Sequence, residues 1–149
     1  MYKMPIERNI IIGIAFIIVC ICAIYDVKKK EIPFVGIILG GFMGVAINLW
    51  QIAGGYLSFV EIGLAVLPGC FFLLVGFVTG QKVGYGDGLL LVVIGLFTGF
   101  NRCALILCIS LVLLSVSALV LLCIRKVGKN SKIPFVPFLA VGMGVGFWV

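Results

Sequence analysis

Charged residues cut the chain into uncharged, apolar stretches at 9–25, 32–60, 62–81, 88–101, 103–124 and 133–149. A helix needs about 20 apolar residues to cross a bilayer, within a range near 17–25. The stretch 32–60 is too long for one crossing, and Asn48, Gln51, Gly54, Gly55 and Ser58 mark where it leaves the membrane. The pattern predicts six helices, at about 9–26, 33–50, 61–80, 86–101, 103–124 and 133–149. No alternation of polar and apolar positions competes with this, and a barrel this short and this uniformly apolar is excluded. The expected fold is an all-α integral membrane protein of about six transmembrane helices in one bundle.

Composition sharpens that picture. Of 149 residues, 64% are hydrophobic and 11% charged, with a mean hydropathy of +1.37. Soluble domains run roughly 45–50% apolar and about 25% charged. A small water-soluble fold could not hide so much apolar surface. The length suits one domain, 1–149. The net charge of +6 lies in short clusters between apolar stretches, which fits loops at anionic headgroups and not a basic face for nucleic acid. Lys28, Lys29, Lys30, Lys82, Arg125, Lys126, Lys129 and Lys132 fall on one side, against Lys3, Arg8 and Arg102 on the other. The first side is therefore expected in the cytoplasm of a prokaryotic cell, with both termini outside. The apolar run after Lys3 and Arg8 looks like a signal peptide. It lacks a small-x-small site before Lys28, and Val19 before Cys20 spoils a lipoprotein site, so it reads as a retained first helix.

The six cysteines (Cys20, Cys22, Cys70, Cys103, Cys108 and Cys123) have no zinc-knuckle or redox spacing, and there is no His. They read as packing or lipid-facing residues, and neither a metal nor any other cofactor is expected. Gly36, Gly40 and Gly44, and Gly95 with Gly99, recur every four residues, a spacing that lets helix backbones approach in lipid. Pro68 is expected to kink the third helix.

Candidate chemistry rests on the five acids. Glu7, Glu31 and Glu61 sit at helix edges among polar or basic neighbours and read as interfacial. Asp26 and Asp87 differ. Asp26 follows the stretch 9–25, only about 26 Å of helix against a hydrocarbon core near 30 Å. It belongs in the last turn of helix 1. The stretch 88–101 covers only about 21 Å, so helix 4 must begin at or before Asp87. Both carboxylates are drawn toward membrane depth, where a charged Asp costs about 2.5–3.5 kcal/mol. The end of helix 1 and the start of helix 4 share a side, and two converging carboxylates suit acid–base hydrolysis. One, ionised, activates a water, and the other, protonated, donates a proton. In Gly84-Tyr85-Gly86-Asp87-Gly88 the glycines permit unusual backbone conformations and close approach of a substrate strand. A turn with an N-capping Asp explains the same residues.

At these residues the chain resembles a known family. Gly84-x-Gly86-Asp87 resembles the GxGD signature of intramembrane aspartyl proteases. Asp26-Val27-Lys28-x-x-x-Ile32-Pro33 resembles the first-aspartate motif of the type IV prepilin peptidases. Ile133-Pro134-Phe135-x-Pro137-Phe138-Leu139-Ala140 is similar to their final-helix motif. The resemblance implies an aspartyl endopeptidase that removes the basic leader from prepilins or pseudopilins at the cytoplasmic membrane face. Asp26 and Asp87 would form its catalytic dyad, and Gly84 and Gly86 would contact the substrate. Phe34 stands where the family often has Asn, and Leu89 where it often has Lys. The cysteine-rich cytoplasmic insertion of longer members is missing, which speaks against their N-methylation activity. Presenilin-like proteases pair Tyr-Asp with GxGD, echoed by Tyr25-Asp26, but their nine-helix plan and Pro-Ala-Leu motif do not fit. Two other readings stay open: a small cation or proton-coupled transporter subunit using Asp26 and Asp87, and an inert assembly factor of a pilus or secretion machine.

Overall fold

The computed structural model describes residues 8–29, 33–80, 84–123 and 134–148. They form six helices and no strand among the described residues: α1 (Arg8–Lys29), α2 (Phe34–Ala53), α3 (Phe59–Val78), α4 (Tyr85–Thr98), α5 (Phe100–Cys123) and α6 (Val136–Trp148). The all-helical expectation holds. Lys3, Glu7, Lys30, Glu31, Ile32, Lys82, Ile133 and the basic cluster Arg125 to Lys132 lie outside the described residues. Four helices (α1, α2, α3 and α5) are long and apolar enough to cross a membrane, whereas α4 and α6 are shorter apolar helices.

The short α4 is the hub. Leu90, Leu91 and Ile94 are fully buried, and Val93, Phe97 and Thr98 are buried around them. A helix that is apolar all round belongs inside a bundle, and α4 packs against α1, α2, α3 and α5.

Its most extensive partner is α3, and small residues explain why. A first side-chain carbon on Gly69 of α3 would stand 2.5 Å from the backbone nitrogen of Val92. One on Gly88 would stand 2.7 Å from the Leu73 side chain, and one on Gly95 would meet the Ala65 carbonyl oxygen. The antiparallel register is thus Ala65 to Gly95, Gly69 to Val92 and Leu73 to Gly88, with the backbones nearly touching. On α2, Gly40 and Gly44 admit Val93 and Leu96 of α4, while Gly36 lies over Cys22 of α1.

Three expectations need correction. Gly99 is not a packing glycine: it ends α4 at φ 78°, with open space around it. Only glycine adopts that backbone readily, which makes it the hinge between α4 and α5. Nor does Asn48 mark a membrane exit. It is buried, and its Nδ2 donates to the Gly44 carbonyl at 2.7 Å and to the Leu96 carbonyl at 2.8 Å. The tie joins α2 to α4, and Gln51 beside it is buried too. Helix α2 itself runs on past Asn48 and ends at Gly54–Gly55, with Gly55 at φ 72°. Ser58 then caps α3: its Oγ accepts from Glu61 N–H while Glu61 accepts from Ser58 N–H. Third, α1 continues to Lys29, where Lys28 and Lys29 suit the negative end of the helix dipole. Pro68 is buried inside α3 without ending it.

Candidate active site

Asp26 lies in the last turn of α1, as its distance from the start of the helix requires, and is 7% exposed. Its partner comes from the far end of the chain. The backbone N–H of Val136, the first residue of α6, donates to Asp26 Oδ2 at 3.2 Å.

The local sequence explains why that N–H is available. The Phe135 carbonyl accepts from both Phe138 N–H at 3.0 Å and Leu139 N–H at 3.2 Å, which begins the helix. Pro137 has no N–H to place, as suits a first turn. Val136 N–H is left as the orphan donor of that turn, and helix N-termini favour a carboxylate. The Phe135 ring stacks on Phe72 of α3, with centroids 5.5 Å apart and planes 14° from parallel. The start of α6 is therefore held by a ring contact to α3 and a hydrogen bond to α1.

Asp87 is in the first turn of α4, half-buried, at the same end of the bundle. It stands within electrostatic reach of Asp26. Gly84 is the N-cap of α4, and its conformation, φ −65° and ψ 127°, is open to any residue. Its reason for being glycine is space, since a first side-chain carbon there would lie 3.0 Å from Asp87 Oδ2. Gly88 is likewise a packing residue under Leu73. Gly86 is half-buried in the first turn of α4.

Two residues of the motifs point elsewhere. Phe34, the first residue of α2 after its Pro33 N-cap, is exposed. Leu89, beside Asp87 in the chain, packs partly buried against the core. Among the described residues, no group of three or more His, Cys, Asp or Glu is placed to hold a metal ion. The Val136 N–H could not be found from residue types, because it is a backbone group. Only the motif running from Ile133 to Ala140 pointed to that segment.

The site thus holds two carboxylates on two helix ends within electrostatic reach of each other, with the N-terminus of α6 bonded to one of them. No curated protein matches the chain, and no solved structure does. The model of the type IV leader peptidase family matches residues 13–124, which include Asp26, Gly84, Gly86 and Asp87. A match over that much of the chain settles its kinship: this protein belongs to the type IV leader peptidase family.

Proposed function

We propose that the protein is an aspartyl endopeptidase that removes the basic leader from prepilin or pseudopilin-like substrates at the cytoplasmic face of the cell membrane. Asp26 and Asp87 are its catalytic pair. One carboxylate, ionised, takes a proton from water as the oxygen attacks the scissile carbonyl carbon. The other, protonated, donates to the carbonyl oxygen, and the amine leaves with a proton as the C–N bond breaks. Val136 N–H orients Asp26. Gly84 and Gly86 leave room for the substrate backbone beside Asp87.

The observation that carries this reading is the placement of Asp26 and Asp87 at one end of the bundle, within electrostatic reach of each other, in a chain of a leader peptidase family. The cytoplasmic placement rests on the Lys and Arg asymmetry. A prepilin has basic residues before a long apolar helix, so its scissile bond would sit at that boundary. The test is co-expression with prepilins, read as a mobility shift on loss of the leader. The family resemblance implies a cut that commonly follows a Gly, so the shift should survive changes within the leader and disappear when that Gly is replaced by a β-branched residue. Equal cleavage of that substrate would overturn the close backbone approach at Gly84 and Gly86. No shift with any prepilin would favour an ion-binding role for the pair.

A further inference from the structure

The opposite end of the bundle holds a second feature that the peptidase reading does not use. From Ile11, at its rim, to Asp26 is about 22 Å along α1. Because α4 stops after 14 residues at Gly99, the α4–α5 hinge leaves a cavity of about 490 Å³ between the end of α2, the start of α3 and the start of α5. That volume is in the range of small-ligand sites, about 300–1,000 Å³.

Six polar side chains line it: Asn48, Gln51, Glu61, Thr98, Asn101 and Arg102. Some are already committed. Asn48 Nδ2 donates to two carbonyls, and Thr98 Oγ1 donates to the Ile94 carbonyl at 2.8 Å. One Glu61 oxygen accepts from Ser58 N–H. Four groups remain: the Arg102 guanidinium, the second Glu61 oxygen, the Gln51 amide and the amide of Asn101, which is itself exposed. Gln51 is only 7% exposed, yet no described residue hydrogen-bonds its amide. Every fully enclosed side-chain nitrogen and oxygen in the described residues has a partner, so the Gln51 amide opens into the cavity.

A cation, an anion and an open amide in one recess call for a ligand carrying both charges. The rest of the wall is apolar, and two of its members, Leu64 and Phe100, are themselves exposed. In a helix bundle of this hydropathy the medium outside those two residues is lipid. The ligand therefore carries alkyl chains as well as two charges.

We propose that this cavity binds the headgroup of a zwitterionic aminophospholipid, with its phosphate on Arg102 and Gln51, its ammonium on Glu61, and its acyl chains over Leu64 and Phe100. Arginine suits phosphate through paired N–H donors. The lipid completes the bundle where α4 is too short to span.

The test uses the full chain, delipidated in a maltoside detergent, with lipid binding followed by native mass spectrometry and by thermal unfolding. Phosphatidylethanolamine should bind one to one, at least about tenfold tighter than phosphatidylglycerol of the same acyl chains, and raise the unfolding temperature. Arg102→Gln should weaken it about tenfold, the loss of one charge-assisted contact. Glu61→Gln keeps the capping box and should erase the preference between the two lipids. Equal binding of both lipids by the unaltered protein overturns the proposal without any variant. So does an unchanged affinity in Arg102→Gln. Water-soluble glycerophosphoethanolamine should bind far more weakly than the lipid, and equal binding would assign the cavity to a soluble phosphoester and overturn the lipid.

Discussion

Replacing Asp26 separates its two jobs. Its carboxylate is proposed to move a proton, and it also accepts the one orphan N–H in the first turn of α6, at 3.2 Å. Asp26→Asn keeps an acceptor oxygen for Val136 but cannot take or release a proton. Asp26→Ala loses both. Neither variant carries the charge, so the difference between them isolates the hydrogen bond from the cost of holding an ion at membrane depth. Leaving Val136 N–H buried without an acceptor costs about 1–3 kcal/mol. Asp26→Ala should therefore unfold more easily than Asp26→Asn by that amount, in a denaturant titration in mixed micelles followed by circular dichroism. Cleavage should fall in both by at least the contribution of a positioned acid or base, about 10²–10⁴-fold. Equal stability of the two variants would show that the Val136 contact does not anchor α6. Appreciable cleavage by Asp26→Asn at normal expression would falsify its catalytic assignment and bring the ion-binding reading forward.

Other expectations follow from the same geometry. Gly84→Val places carbon 3.0 Å from Asp87 Oδ2 at a position that is itself exposed, so cleavage should drop at least tenfold with little change in stability; unimpaired cleavage would show that Asp87 needs no such room. A pair that works singly protonated gives a rate that falls at both low and high pH, and Asp87→Asn combined with Asp26→Asn should be no worse than either alone. A monotonic pH profile, or additive losses, would dissolve the pair. In a background without native cysteines, Lys29→Cys and Lys82→Cys should react only with thiol reagents that enter the cytoplasm, and labelling of Lys82→Cys from outside would separate the two aspartates.

Helix number and approximate ends were legible because charges interrupt an otherwise apolar chain, and a bilayer of fixed thickness sets how much chain each crossing needs. The same length argument located Asp26 in the last turn of α1 and Asp87 in the first turn of α4. Which face of each helix points inward was not legible. In water, apolar periodicity marks the buried face; in lipid, both faces are apolar. Leu90 is 0% exposed and Phe42 77% exposed, and nothing in their chemistry separates them. Identical residues also do unlike things. Gly95 lets α3 touch α4, while Gly99, one turn on, ends the helix at positive φ. Asn48 resembled a membrane exit because polar residues collect at interfaces, but two carbonyls within reach let it stay buried.

The α3–α4 register carries a further consequence for the proposed chemistry. Leu73 lies over Gly88, so Asp87 is level with the segment of α3 about one turn and a half before its end at Val78. At 1.5 Å per residue that is roughly 6–8 Å inside the end of α3. A substrate helix has its own peptide groups bonded within the helix, so its N–H and C=O are not free to meet a water and an acid. On the proposed reading, the bond to be cut must come to this depth as extended chain, with apolar helix only beyond it. The α3–α4 contact bears on this, because backbones packed this closely cannot slide without clashing at Gly69, Gly88 and Gly95. Asp87 is thus held level with a fixed part of α3, and on that same proposed reading the substrate is the partner that must unwind. A glycine before the scissile bond serves that end: it disfavours helix by about 1 kcal/mol relative to alanine, and it presents no side chain to the crowded start of α4.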